Sequence, residues 1–153
     1  MSGARLSSPA PTHGSATPAP SRGTIVVREG KAGIEPALVR LVVAIEEHAY
    51  PKAGVFAMRL ALHEAITNAI VHGHKGMPET TPVLIEYEVT ASHATFTVVD
   101  QGPGFDPEAI PDPTLDENLE NTSGRGLMLI RAYMAEVSHN AAGNRLTMRF
   151  VRK

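Results

Sequence analysis

Residues 55–73 form the most informative segment of the sequence, and they read VFAMRLALHEAITNAIVHG. Apolar residues recur there every three or four positions, which predicts an amphipathic helix from about Val55 to His72 that ends at Gly73. At about 100° per residue, one face of this helix is apolar and should pack on a sheet. That face carries Val55, Met58, Leu62, Ala65, Ile66 and Ala69.

Glu64 and Asn68 lie nearly opposite this apolar face, one helical turn apart. Their neighbours on the wheel are also mostly apolar, namely Ala57, Leu60, Ala61 and Val71. A carboxylate and an amide that project together from such a surface allow two interpretations. They form either a solvated polar face or a pocket wall whose oxygens hold a metal ion or a reacting hydroxyl.

The segments on either side of this helix carry strand and helix patterns. Short β-branched or alternating segments predict strands at Thr24–Arg28, Val83–Val89, Ala94–Val99, Glu136–Asn140 and Arg145–Val151. Helical spacing predicts a first helix over Ile34–His48, a break at Tyr50–Gly54, and a third helix over Gly124–Met134. This order predicts an α/β (α+β) two-layer sandwich with a mixed, mostly antiparallel sheet and helices on one face. It lacks the regular alternation of a Rossmann fold.

Two segments are predicted to lack regular structure. Residues 1–23 hold four prolines and only two charged side chains, which predicts a disordered tail and leaves residues 24–153 as one domain. Residues 101–123 are polar and rich in turn formers, which is typical of a functional lid or a disordered loop.

Composition excludes several classes of protein. The chain has no cysteine, so disulfides, thiolate catalysis and cysteine-based zinc sites are excluded. A net charge of −2 argues against a broad electrostatic contact with nucleic acid or anionic lipid. There is no apolar run near the ~18 residues of a membrane span and no secretory signal pattern. We therefore expect a soluble cytoplasmic protein without a direct nucleic-acid or membrane partner.

A glycine-containing turn, Asp100-Gln101-Gly102-Pro103-Gly104-Phe105, follows the strand that ends at Val99. The glycines permit a tight turn and close approach of the backbone to a ligand. Asp100 falls on the face of Phe96 and Val98, where a buried carboxylate needs donors such as an adenine amino group. A plain β-turn is the alternative for this motif alone, and the ligand spacing of an EF-hand calcium loop is missing.

A second glycine motif, Ser123-Gly124-Arg125-Gly126-Leu127, opens the third predicted helix. Free N–H groups at a helix N-terminus bind phosphate, and Arg125 adds positive charge, although a simple glycine-rich helix start is the alternative. The Walker pattern is absent, which excludes a P-loop site. His63, His72 and His74 do not predict a zinc site, because they do not share one side of the helix and no HExxH motif is present.

Taken together, the three motifs resemble the N box and the two glycine boxes of the GHKL ATPase superfamily. The N box is Glu64-Ala65-Ile66-Thr67-Asn68-Ala69 with His72-Gly73, and the glycine boxes are the two turns above. Within the superfamily, the short chain without phosphoacceptor helices is most similar to the small anti-sigma factor serine kinases of the RsbW/SpoIIAB type.

The resemblance implies an ATP-dependent protein serine/threonine kinase with ATP and Mg²⁺ as its cofactors. In this reading Asn68 coordinates Mg²⁺, Glu64 is the general base, and Asp100 accepts from the adenine amino group. Gly102 and Gly104 shape the adenine pocket, and Gly124, Arg125 and Gly126 bind phosphates beneath the lid.

The resemblance also implies partners. They are an RNA polymerase sigma factor, a STAS-domain anti-sigma factor antagonist that is phosphorylated, and a second copy of the chain. Two alternatives stay open: an ATP-binding module that sequesters sigma without phosphotransfer, and a stand-alone histidine-kinase-like ATPase domain.

Overall fold

The computed structural model describes residues 17–104 and 122–152, with the side chains of residues 122–125 outside the described part. In chain order its elements are β1 (Ser21–Val27), α1 (Ile34–Glu46), α2 (Lys52–Thr67), β2 (Val83–Val89), β3 (His93–Val99), α3 (Thr122–Tyr133), β4 (Glu136–His139) and β5 (Arg145–Val151). A 3-10 turn, Gly30–Gly33, leads into α1, and a π-helical turn, Asn68–Gly73, continues α2.

The described strands form one sheet in the order β1-β2-β3-β5-β4, and each neighbouring pair is antiparallel. Every second residue of each strand points to the same face of the sheet. The residues on the inner face are mostly apolar. Phe96 at the centre of the sheet pairs with Tyr87 on one side and Met148 on the other. Phe96 and Met148 are fully buried.

The helices cover this inner face. Leu38, Leu41 and Ile45 of α1, Met58, Leu62 and Ile66 of α2, and Ile130 of α3 are all fully buried in one core with the sheet residues. Burial of each such side chain contributes about 2 kcal/mol. The opposite face of the sheet carries exposed ion pairs, among them Arg22–Glu88, Arg145–Glu86 and Arg149–Glu136. The predicted two-layer sandwich with helices on one face is therefore confirmed.

Several predicted boundaries were wrong by a few residues. The strand β1 begins at Ser21, so the tail predicted for residues 1–23 overlaps a strand whose first residue pairs with Val89. The helix α2 begins at Lys52, directly after Pro51, and contains Gly54, which was predicted to lie in a break. Gly54 is buried, and a Cβ there would lie 3.2 Å from the Phe150 ring, so close packing explains a glycine inside the helix.

Other sequence predictions fall partly outside the described residues. Residues 1–16 of the predicted tail and residues 105–121 of the predicted lid belong to this group. In the ranges that are described, no helix has both the length and the apolar character needed to cross a membrane.

Candidate functional site

Glu64 and Asn68 lie beneath the first turns of α3. A Cβ added to Gly126 would lie 2.9 Å from the Asn68 side-chain nitrogen, 3.1 Å from Glu64 Oε2 and 3.3 Å from Asn68 Oδ1. The Glu64 side chain is only 24% exposed. The pair is therefore half-buried and packed against the second glycine motif, and it does not form a freely solvated face.

The helix α3 crosses α2 in the antiparallel sense. Gly126 near the start of α3 meets Glu64 and Asn68, whereas Tyr133 at its end meets Phe56 near the start of α2. The rings of Phe56 and Tyr133 pack edge to face with their centroids 6.5 Å apart. The N-terminus of α3, with Gly124 and Arg125 in its first turn, therefore lies at the Asn68 end of α2.

Asp100 stands at the end of β3, where the first glycine motif begins. Its Oδ1 accepts the Gly102 N–H at 2.8 Å, and its own N–H donates to the Asn144 carbonyl at 3.0 Å. Burial raises the pKa of the Asp100 carboxyl above its ordinary range, and the Gly102 hydrogen bond offsets this only in part. A further hydrogen-bond donor would stabilise a half-buried carboxylate of this kind.

Backbone contacts fix the first glycine motif between two other segments. A Cβ on Gly102 would overlap the carbonyl oxygen of Gly73, and a Cβ on Gly104 would overlap that of Ala142. Gly104 also has φ +81°, a conformation that favours glycine. A Cβ on Gly73 would lie 2.7 Å from Asp100 Cγ. Both positions predicted for the adenine pocket, Gly102 and Gly104, are thus sites of close backbone approach.

The π-helical turn joins the two halves of the site. It is closed by the His74 N–H, which donates to the Ala69 carbonyl five residues earlier at 3.0 Å. Asn68 begins this turn and Gly73 ends it. One continuous helical segment therefore contacts α3 through Glu64 and Asn68 and contacts Asp100 through Gly73.

Sequence reasoning missed two residues of this region. The His74 ring is buried, and its Nε2 accepts the Gln101 N–H at 2.8 Å. Asn144, in the turn between β4 and β5, places its carbonyl on the Asp100 N–H. Neither residue has a local sequence signal, because each meets its partner only in the folded chain. His74 and Gln101, for example, are 27 residues apart in the sequence.

The described residues contain no group of three or more His, Asp or Glu side chains that could hold a metal ion. The donors at the Asn68 end are a side-chain amide and a carboxylate, and such oxygen ligands suit Mg²⁺, which takes only one or two of them from protein when phosphates supply others. The residues present therefore fit a magnesium ion shared with a phosphate ligand. His63 lies beside this site, with Nδ1 3.9 Å from Glu64 Oε1.

Comparison with known families agrees with this arrangement. The profile of the histidine kinase-like ATPase domain matches residues 31–150, which include every candidate site residue. The chain belongs to this ATPase family. The helix with Glu64 and Asn68 and both glycine motifs lie within the matched region, which begins after β1.

Individual relatives of this ATPase-family chain are named serine-protein kinase RsbW. The protein of that name from Staphylococcus epidermidis is 34% identical over 86 residues, which cover 52% of this chain and 54% of the relative. The protein from Staphylococcus aureus strain MRSA252 is 31% identical over the same length. The chain thus spans about half the length of the relatives that it matches.

Proposed function

We propose that this chain binds ATP with Mg²⁺ and is a protein serine kinase that also binds an RNA polymerase sigma factor. The observation that carries the proposal is the contact of Gly126 with Glu64 and Asn68, in a helical segment whose C-terminal residue, Gly73, contacts Asp100. Contact of one helical segment with both groups supports a shared site in which phosphates and base would bind along the same wall.

Asp100 would bind the base of the nucleotide. Its Oδ1 accepts the Gly102 N–H, and Gly73 packs so closely on the carboxylate that a Cβ there would lie only 2.8 Å from Oδ2. An adenine amino group is a donor of the kind that a half-buried carboxylate needs. Gly102 and Gly104 would shape the pocket by letting the motif pack against the carbonyls of Gly73 and Ala142.

The opposite end of the wall would bind the phosphates. The first N–H groups of a helix have no partner within it, so the start of α3 at Gly124, Arg125 and Gly126 suits an anion. Asn68 would hold Mg²⁺, which when bound offsets the negative charge of the phosphates. The glycine at position 126 keeps α3 close to Asn68 without displacing its amide.

Glu64 would accept the proton of the substrate serine. In the transfer, the serine oxygen forms a bond to the γ-phosphorus, the bond from that phosphorus to the bridging oxygen breaks, and ADP leaves with the electron pair. The hydroxyl proton goes to the Glu64 carboxylate. The names of the relatives, serine-protein kinases at 31–34% identity, support this reaction class for the chain.

The substrate would be a STAS-domain antagonist, and the competing ligand would be the sigma factor. The antagonist and sigma would compete for the kinase, so that binding of one weakens binding of the other. Phosphorylation of the antagonist would release it and leave the kinase free to bind sigma. The chain would act as a homodimer in the cytoplasm. The resemblance of the three motifs to this type of kinase supports these partners.

The test is transfer of labelled phosphate from γ-labelled ATP to a purified STAS-domain antagonist from the same genome. We expect Mg²⁺-dependent labelling of one antagonist serine, and loss of sigma binding when unphosphorylated antagonist is added. ATP and sigma binding without labelling would indicate the non-catalytic sequestering module. ATP hydrolysis without binding of either protein would indicate a stand-alone histidine-kinase-like ATPase domain.

A further inference from the structure

His74 is a buried polar side chain that connects two segments of the candidate site. His74 is 7% exposed and directly follows the π-helical turn that begins with Asn68. The ring reaches across to the first glycine motif, where Nε2 accepts the Gln101 N–H at 2.8 Å.

The hydrogen bond determines the state of the ring. Because Nε2 accepts, it carries no proton, and the proton of the neutral imidazole is on Nδ1. The Gln101 N–H is partly buried, so loss of the ring would leave this donor without its partner. The peptide at Gln101 would then lose the one hydrogen bond that holds its N–H in place.

Gln101 lies between Asp100, which carries the proposed base-binding carboxylate, and Gly102, whose N–H binds that carboxylate. Asp100 on one side donates its N–H to Asn144, and Gly102 on the other side donates to Asp100 Oδ1. The bond from Gln101 to His74 fixes the peptide between them. Three consecutive N–H groups are thereby hydrogen-bonded, and the one on Gly102 contacts the Asp100 carboxylate directly.

We propose that His74 is a positioning residue for base selectivity: by accepting the Gln101 N–H, it holds the Asp100 carboxylate in the orientation that selects an amino group on the purine. This inference rests on the proposed binding of ATP through Asp100. Inosine triphosphate is the probe, because it carries an oxygen where adenine carries the amino group.

The decisive comparison is the ratio of the dissociation constants for inosine triphosphate and ATP, measured by calorimetry on the full chain. In the parent we expect a ratio of about ten or more, the effect of one hydrogen bond to a charged group. His74→Phe keeps a ring but has no acceptor, so the ratio should fall to about three or less, through weaker ATP binding. His74→Gln restores an acceptor at a similar reach and should keep the parent ratio.

A double-mutant cycle separates positioning from a general structural effect. Asp100→Asn removes the carboxylate on which His74 is proposed to act. If His74 acts through Asp100, adding His74→Phe to Asp100→Asn should weaken ATP binding by less than about threefold further. If the two losses multiply in full, His74 does not act through Asp100 and the inference is overturned.

His48 provides the matched control. It is also buried, and its Nε2 lies 3.0 Å from Ser21 Oγ. Ser21 is level with the start of β3, whereas Asp100 follows the end of that strand, so His48 lies at the opposite end of the strands from Asp100. His48→Phe should leave the ratio at the parent value even if it lowers the melting temperature. An equal fall of the ratio in His48→Phe would show a non-specific effect and would overturn the inference.

Two further measurements keep the test decisive if His74→Phe does not fold. Nitrogen-15 NMR of the parent should show the His74 proton on Nδ1, and a proton on Nε2 would contradict the inference. His74→Asn, whose amide is too short to reach Gln101, should lose the selectivity that His74→Gln keeps, and equal ratios in the two would contradict it. A parent that binds neither nucleotide would instead overturn the proposed function.

Discussion

Gly126 of α3 lies directly against the side chain of Asn68, so that a Cβ at position 126 would come within 2.9 Å of the Asn68 amide nitrogen. The same Cβ would come within 3.1 Å of Glu64 Oε2. Both atoms are the far ends of side chains that can rotate away, so the contact constrains the position of the two groups more than it constrains the stability of the fold. This relationship leads to the first prediction.

Gly126→Ala should separate stability from function. Alanine in a helix is favoured over glycine by about 0.5–1 kcal/mol, so the melting temperature should stay equal or rise. The new methyl group should displace the Asn68 amide and weaken Mg²⁺-dependent ATP binding by about tenfold or more. Calorimetry with and without Mg²⁺ measures the affinity, and thermal unfolding measures the stability.

Ala132→Gly is the matched control for this variant, because Ala132 is an exposed residue of the same helix. It should cost about 0.5–1 kcal/mol of stability and leave ATP affinity unchanged. If Gly126→Ala binds ATP·Mg²⁺ as the parent does, the close packing at Gly126 does not serve the nucleotide site.

Asp100→Asn should weaken ATP binding by more than tenfold, about 1.4 kcal/mol. The amide can still accept the Gly102 N–H, but it loses the charge that favours an amino donor. Calorimetric titration of the variant with ATP measures the change. Unchanged affinity would remove Asp100 from the nucleotide site.

Asp100→Asn should also be more stable to unfolding than the parent at neutral pH in the absence of nucleotide. Burial raises the folded-state pKa of Asp100 above the unfolded value, so ionisation of this group destabilises the fold. The gain should be present above the raised pKa and should disappear as the pH falls below the ordinary carboxyl pKa, where the parent carboxyl is protonated in both states. A gain that persists at low pH would contradict the assigned cause, and melting temperatures across the acidic range would show it.

Deletion of residues 1–16 should change the melting temperature by no more than about 2 °C, because so proline-rich a segment without apolar periodicity offers little surface to bury. Deletion of residues 1–23 should lower it by about 5 °C. The longer deletion removes the part of β1 that pairs Ser21 with Val89 and the Ser21 hydroxyl that donates to Glu47 at 2.9 Å. Equal melting temperatures for the two deletions would show that the first residues of β1 add nothing to the fold.

Regular alternation of polar and apolar residues allowed the bounds of two strands to be predicted to the residue. The bounds of β2 and β5 agree with the prediction because each strand is bounded by polar or turn-forming residues and carries a clear two-residue period. The start of α2 was missed because Pro51 and Gly54 resemble a break, whereas the structure places the proline just before the helix and the glycine against Phe150. The π-helical turn has no sequence signature of its own.

The candidate site was predictable only in its motif residues. Glu64, Asn68 and Asp100 stand in patterns that point to chemistry, but His74 and Asn144 reach the site through tertiary contacts over long sequence separations. The role of Gly126 as a spacer likewise depends on how α3 crosses α2. Such contacts come from packing, which a local pattern does not encode.

The most direct test of the kinase account is phosphate transfer by Glu64→Gln to the antagonist serine, beside ATP affinity measured on the same protein. A general base contributes roughly 10²- to 10⁴-fold to the rate and little to ground-state binding. The account predicts ATP·Mg²⁺ and sigma affinities close to those of the parent and transfer slowed by at least about a hundredfold. The control Glu46→Gln, at an exposed site on α1, should transfer at the parent rate. Undiminished transfer by Glu64→Gln would contradict the account.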